Sequence, residues 1–423
     1  MIMAMIRPKT EMKDSGDIYI GKMPLNWRLA SYKYFADSGM GLTILKEEVT
    51  DLGVPIYSAT QDSSIFGYIN NPKLKLGKGD LVIPARGNSI GCTTYVEDDV
   101  ATCTQTTIYS KVSGINPKFL FYCSIGLKEE WFYYVQTAIP QITVSQVQNN
   151  KVPVPPLSEQ QAIADYLDET CSKIDEIIAE AKASIDEYKE LKQSVIFEAV
   201  IKGLDKNVNV YKTGNTWIPL LPVGIKLSRF GLHHDIILGK MLCPNPRNEE
   251  DTLEPYYCAA NVHFDGVTGE LKTMWFNSKE KETYIVHKND MLIVEGGAGA
   301  GGAAIMNEEP PVSAFVQNSI MIVRSHMKDN RYSCYLVQAL VKNKYVDVVC
   351  NKATIPHFTK EKVSYMPYPV FNRNERNEIA NYLDVKCKQI DSLITEKESL
   401  INDLEAYKKS LIYEVVTGKR RVV

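Results

Sequence analysis

The sequence predicts an α+β protein: two mixed α/β heads separated by two long, antiparallel, coiled-coil-like helices that make an internal, pseudo-two-fold repeat. Three observations predict it. The stretch "IADYLDETCSKIDEIIAEAKASIDEYKELKQSVIFEAV" from Ile163 aligns without a gap, at an offset of 216, with "IANYLDVKCKQIDSLITEKESLINDLEAYKKSLIYEVV" from Ile379. Both stretches carry apolar residues at a sustained 3–4 spacing without Pro or Gly, the period of an amphipathic helix. Each is preceded by short apolar runs that read as strands.

The alignment pairs Tyr166 with Tyr382, Asp168 with Asp384, Cys171 with Cys387, Asp175 with Asp391 and Glu198 with Glu414, so it reflects duplication. It reaches upstream more faintly. Ile139-Pro140 meets Ile355-Pro356, "LGKGDLVI" resembles "VHKNDMLI" at an offset of 210, and "MPLNW" resembles "LPVGI" at an offset of 198. Changing offsets mean insertions between two divergent copies. The division this predicts is a head over 1–157, a helix over 158–203, a head over 204–373 and a helix over 374–423.

Ser158 and Gln161, just after Pro155-Pro156, have the spacing of a capping box for the first helix. Each helix covers about 40 residues, or roughly 60 Å at 1.5 Å per residue. One apolar stripe on a charged helix favours paired helices over isolated core helices. The first head enters the first helix at its N-terminus and the second head leaves from its C-terminus, so a paired second helix must run back antiparallel, with a head at each end. Cys171 and Cys387 read as small core residues. In the heads, "GDLVIPARG", "TTIYSKV", "KVPVPPL", "DMLIVEGG" and "NSIMIVRS" read as strands, while "NPKFLFYCSIGLKEEWFYYVQ" and "DNRYSCYLVQALVKNKYVDVVC" read as helices.

Composition narrows the function classes. The chain is 44% hydrophobic and 23% charged, as in a globular protein, and no apolar run approaches the ~18 residues of a membrane span. No signal peptide is read at the start, and nine scattered cysteines without a C-x-x-C fit reduced thiols in a cytoplasm. The pair His233-His234 has no cysteine or carboxylate at ligand spacing, so no metal site is expected. The formal charge of −3 is unevenly spread: residues 152–204 hold 5 Lys/Arg against 11 Asp/Glu, and the remainder is slightly positive. A basic surface on part of the chain therefore remains open.

Gly297, Gly299 and Gly302 match G-x-G-x-x-G. A pyrophosphate loop needs a helix to follow, and "AAIMNEEPPVSAF" reads as strand and turn. At the same place the first copy carries "ARGNSIG" without the fingerprint. The alternatives are a surface hairpin or a loop presenting backbone amides to an anionic polymer. No G-x-x-x-x-G-K-[ST], no G-x-S-x-G and no Asn/Asp-Pro-Pro-aromatic run is present.

In this order of parts the chain resembles the specificity subunit of a Type I restriction–modification system. The carrying stretches are "PVPPLSEQQAIADYLD" and its second version "PYPVFNRNERNEIANYLD", with "KGDLVI…ARGNSIG" and "AIPQITVSQVQNNKVPVPP". The second head's "EGGAGAGGAA" and "VFNRNER" depart from the family's usual pattern. The resemblance implies that each head reads one half of a split site on double-stranded DNA. It implies that the helices set the spacing and dock modification subunits, two in number, and that restriction subunits join them. S-adenosylmethionine, ATP and Mg would sit in those partners, this chain binding no cofactor and performing no catalysis, in the cytoplasm and away from membranes.

The expected DNA contacts are Arg86, with the geometry to reach guanine O6/N7, flanked by Asn88 and Ser89. Gln105 and its counterpart Gln317, beside Asn318, are candidates for adenine or structural strand ends. Gln141 and Thr143 in the first head, and His357, Thr359 and Lys360 in the second, follow the shared Ile-Pro. Gly297 and Gly299 would let backbone approach DNA. Two competing readings stay open: a DNA methyltransferase with its own S-adenosylmethionine site, and a structural adapter without DNA.

Overall fold

The computed structural model describes residues 5–62, 64–133, 140–205, 207–350 and 356–422. Ile139 and Ile355 of the shared Ile-Pro, and the end of the first head's predicted helix, lie outside them. Among the described residues no helix is long and apolar enough to cross a membrane. The chain divides into two compact units, Met1–Lys182 with Lys397–Val423, and Ala183–Glu396.

The main sheets of one unit recur in the other. In the first, a four-stranded antiparallel sheet runs Ala36–Met40, Thr107–Val112, Leu81–Pro84, Thr94–Tyr95. In the second the order is His234–Leu238, Ile320–Ser325, Met291–Val294, Ala303–Ile305. A three-stranded sheet is repeated likewise: Thr102–Cys103, Val54–Tyr57, Ile65–Ile69 against Phe315–Val316, Thr252–Tyr257, Lys272–Phe276. The ribbon Arg28–Ser31 with Lys151–Val154 has its copy in Lys226–Arg229 with Pro367–Val370. The strands Leu81–Pro84 and Met291–Val294 are buried on both faces, which is why they read as unbroken apolar runs rather than alternating ones.

The two long helices span Leu157–Lys202 and Arg373–Val416. In the first unit Ile163, Leu167, Cys171, Ile174, Ile178 and Ala181 are buried at 3–4 spacing, and Ile401, Leu411 and Val415 toward the end of the other helix are buried too. In the second unit Ile196, Ala199 and Val200 share one core with Ile379, Leu383 and Cys387. The start of one helix thus lies beside the end of the other within each unit, as antiparallel pairing requires. One ion pair occurs twice: Lys408 Nζ is 2.7 Å from Asp175 Oδ1 in the first unit, and Lys192 Nζ is 2.6 Å from Asp391 Oδ1 in the second. These four residues are related by the offset of 216. Such exposed pairs contribute about 0–1 kcal/mol, against roughly 1.5–3 kcal/mol per buried aliphatic side chain, so they select register while the apolar stripe supplies stability. Cys171 and Cys387 are buried, and burial pushes the Cys171 thiol up to about 11.

Each head is fastened to its helix by a repeated contact. The Tyr122 hydroxyl donates to Asp168 Oδ1 at 2.7 Å, with Lys118 Nζ 3.7 Å away. The Tyr335 hydroxyl donates to Asp384 Oδ1 at 2.9 Å, and Arg331 Nη1 donates to Asp384 Oδ2 at 2.8 Å.

One local expectation needs correction. Ser158 lies inside the first helix, and Gln161 is engaged elsewhere, its Oε1 accepting from Asn116 Nδ2 at 2.7 Å. The diproline has already turned the chain, and Glu159 and Gln160 donate their N–H groups to the Pro156 carbonyl, so no Ser-Gln box is needed. The second helix has the reciprocal box, Asn372 with Glu375, its cap two positions ahead of the predicted start at 374.

Candidate nucleic-acid interface

In both units a loop leaves the central buried strand and is pinned from both sides by main-chain hydrogen bonds. In the first unit Ala85 N donates to Thr106 O (2.9 Å), Ile142 N to Ala85 O (3.0 Å) and Gly87 N to Pro140 O (3.1 Å). In the second, Glu295 N donates to Ser319 O (2.8 Å), Phe358 N to Glu295 O (2.6 Å) and Gly297 N to Pro356 O (3.2 Å). Arg86 bridges Gln141, and Gly296 bridges His357. The structure therefore gathers each predicted loop and its post-Ile-Pro segment on one rim, from segments more than 50 residues apart in sequence.

The glycines divide by role. Gly87 and Gly297 occupy equivalent positions at φ +76° and +88°, with open space where a side chain would lie. Gly91 and Gly301 are also equivalent, at φ +70° and +85°, but a Cβ there would meet Phe132 at 2.4 Å or Val346 at 2.8 Å. These two close the loop onto a helix of their own head. The strand Ala303–Ile305 follows Gly302, so a strand and not a helix follows the G-x-G-x-x-G.

The remaining predicted side chains fall as follows. Arg86 and Asn88 are exposed on the rim, and the Arg86 side chain makes no hydrogen bond or ion pair among the described residues. Ser89 is buried and donates to Ala59 O at 2.9 Å, so its hydroxyl braces the loop. Thr143 caps the short helix Val144–Asn149 through a box with Gln146. Gln105 is exposed and accepts from Thr43 Oγ1 at 2.7 Å. Thr359 starts the helix Lys360–Ser364 and Lys360 is exposed. His357 Nδ1 lies 3.2 Å from Glu295 Oε2.

One pairing shifts by a residue. Leu42 bridges Thr104 and Lys240 bridges Gln317, while Gln105 N donates to Leu42 O and Asn318 N to Lys240 O. The counterpart of Gln105 is therefore Asn318, and Gln317 takes the place of Thr104. Gln317 Oε1 accepts from Ser319 Oγ at 3.1 Å.

Residues not singled out in the sequence complete the rims. Gly41 and Gly239 are equivalent, and a Cβ on either would lie 2.2 Å from Thr104 O or 2.3 Å from Gln317 O. Only glycine lets the strands pass this close. In the second unit Lys240, buried beside Gly239, donates to Glu280 Oε2 at 2.6 Å and to Trp275 O at 2.7 Å. Arg247 grips both Glu280 oxygens at 2.7 Å, and this pairing holds the Glu280 carboxyl down to about 2. The first head has Leu42 where this network begins, so the second rim carries an ion-pair network there that the first does not begin. Among the described residues no group of three or more His, Cys, Asp or Glu is placed to hold a metal ion.

The two rims share one backbone design and display different side chains. Comparison with known proteins agrees. Residues 24–187 match the family described as Type I restriction modification DNA specificity domain. Over 374 residues the chain is 22% identical to the Type I restriction enzyme MjaVIII specificity subunit of Methanocaldococcus jannaschii, covering 85% of this chain and 83% of that one. It is 23% identical to the putative type I restriction enzyme MjaX specificity subunit of the same organism, covering 95% and 96%. A chain solved in work on complex assembly and conformational transition of the type I R-M system shares the fold, with a TM-score of 0.72, 16% identity, and 94% and 99% coverage. The HsdS subunit from Thermoanaerobacter tengcongensis does so with a TM-score of 0.52, 16% identity, and 94% and 98% coverage. The likeness to Type I specificity subunits, read first from the duplicated helix entry, is borne out by the family match, the relatives and the shared fold.

Proposed function

We propose that this chain selects the DNA sequence for a Type I restriction–modification complex by reading a bipartite site, one half with each rim. The observation that carries this is the repeated rim, its backbone bonds matched pair by pair while positions 86, 88, 105 and 141 differ from their counterparts. Constant backbone with variable side chains is what two different half-sites require of one scaffold. The helices dock two modification subunits, restriction subunits join them, and S-adenosylmethionine, ATP and Mg reside in those partners. The chain itself supplies sequence choice without catalysis, in the cytoplasm. Near-balanced charge in each head assigns much of the phosphate contact, and so of the salt-dependent affinity, to the partners.

The test is a methylome: N6-methyladenine mapped in cells carrying the neighbouring modification subunit, with and without this chain. Methylation at one split motif that appears only with the chain supports the reading. Methylation by the chain alone would point to a self-contained methyltransferase, and a soluble complex with an active modification subunit but no methylation would point to a structural adapter. Arg86→Ala is expected to relax one base position in the first unit's half-site, costing about 1–3 kcal/mol of discrimination there and leaving the other half unchanged. Competition binding with single-base variants of the mapped motif measures it, and uniform weakening across all variants would reassign Arg86 to phosphate.

A further inference from the structure

The two units differ where the end of a long helix meets the start of a head. In the first unit two separate stretches of chain meet there. Met5–Ile6 pairs with Arg420–Arg421, Arg7 N donates to Lys419 O at 2.9 Å, and the Arg7 side chain is buried. Its Nη2 donates to Glu159 Oε1 at 2.8 Å and its Nε to Gly418 O at 3.1 Å. The buried Trp27 ring completes the site, its Nε1 donating to Glu159 Oε2 at 3.0 Å.

In the second unit the same place is served by a single pass of chain, because the first helix runs directly on into the second head. Glu375 stands where Glu159 does at the offset of 216, and Ile225 where Trp27 does at the offset of 198. One strand and one indole are missing, and a cleft of about 240 Å³ lies there, lined by Glu375, Glu378, Asp205, Ile225 and Phe371. A neighbouring cleft of about 680 Å³ shares its Lys202–Asp205 wall and adds Glu198. The walls present exposed Leu204, Val210 and Val223 and four carboxylates against one ammonium, Lys202. Glu378 makes no side-chain hydrogen bond or ion pair among the described residues, and Glu375 uses one oxygen to cap Asn372 N.

We propose that this cleft in the second unit binds an extended segment of a partner protein bearing an arginine, its backbone and guanidinium seated as those of Met5-Ile6-Arg7 are in the first unit. Two features fix that chemistry. The missing strand calls for an extended backbone, and the carboxylates take the guanidinium. The chain's own N-terminal segment is engaged in the first unit, so the occupant comes from another protein. The proposal does not rest on DNA reading.

The probe is a labelled peptide with the sequence of residues 1–9, titrated by fluorescence anisotropy against the full-length chain without DNA. Saturable binding is expected, weakened at least tenfold by Ile225→Trp, which refills the cleft, and by the surface substitutions Glu375→Gln and Glu378→Gln together. A peptide with the arginine changed to alanine is expected to bind at least tenfold more weakly. Circular dichroism checks that the variants are folded. Absence of saturable binding to the unaltered chain overturns the proposal. So does binding that survives both sets of variants but falls with Glu159→Gln, since the peptide would then be exchanging with the segment already bound in the first unit.

Discussion

Gly239→Ala is expected to destabilise the second unit by about 3 kcal/mol, and Gly41→Ala the first unit by a similar amount. The added methyl would lie 2.3 Å from Gln317 O in one case and 2.2 Å from Thr104 O in the other, and both obstacles are backbone. Backbone there cannot move aside cheaply. Gly239 N donates to Ile320 O, Lys240 N donates to Val316 O, and the first head repeats the pattern with Gly41 N and Thr107 O. The rim segment carrying Gln317 and Asn318 would shift, so affinity for the matching half-site should fall by on the order of 100-fold, equivalent to about two mismatched base pairs. Urea denaturation and half-site competition measure the two effects. Stability within about 0.5 kcal/mol of the parent for both variants would show that the close approach is not required.

The second large effect is an acid sensitivity that one buried histidine gives the second unit. His234 is buried, stacks on Phe230 with ring centroids 3.9 Å apart, and hydrogen-bonds Phe230 O and Ser333 Oγ. Burial holds its imidazole down at about 4, from an ordinary 6.5, with the neighbouring His233 and Arg376 charges acting in the same direction. The unfolded chain therefore binds a proton between pH 6.5 and 4 that the folded unit refuses, and stability must fall as pH drops through that window. The loss is about 3 kcal/mol by pH 4, because each tenfold weakening of proton binding is worth about 1.4 kcal/mol. Ala36 occupies the equivalent place in the first head and cannot titrate. Urea midpoints at pH 7 and pH 4.5 for the parent and for His234→Ala measure this. Equal pH slopes in the two proteins would remove His234 as the cause.

The architecture was legible because duplication and periodicity are properties of a line of letters. The offset of 216 and the stripe through Ile163, Leu167, Cys171 and Ile174 announce the helices without knowledge of any contact. The strands Leu81–Pro84 and Met291–Val294 were legible for the same reason. The rims were legible only in part. That the Arg86 loop meets Gln141, and Gly296 meets His357, follows from main-chain pairing across a fold, which no local pattern encodes. The shift from Gln317 to Asn318 came from an insertion that matching letters could not place, but matching hydrogen bonds could. Gly41 and Gly239 were overlooked because an isolated glycine looks the same whether it relaxes a turn or admits a passing carbonyl. Glu295 and Lys240 were overlooked because the first copy has Ala85 and Leu42 there, and comparison of copies draws attention to what they share.

The rims are fastened by main chain rather than by the side chains they display. Ala85, Gly87 and Ile142 in one unit, and Glu295, Gly297 and Phe358 in the other, are held through N–H and C=O groups that every residue except proline can supply in full. Lineages of this protein are therefore free to drift at the displayed positions without first finding compensating changes in the scaffold. The duplication doubles that freedom, since one rim can wander while the other keeps its preference. A chain of this design is poised to acquire new targets by small steps, and its relatives should diverge fastest where their backbones agree best.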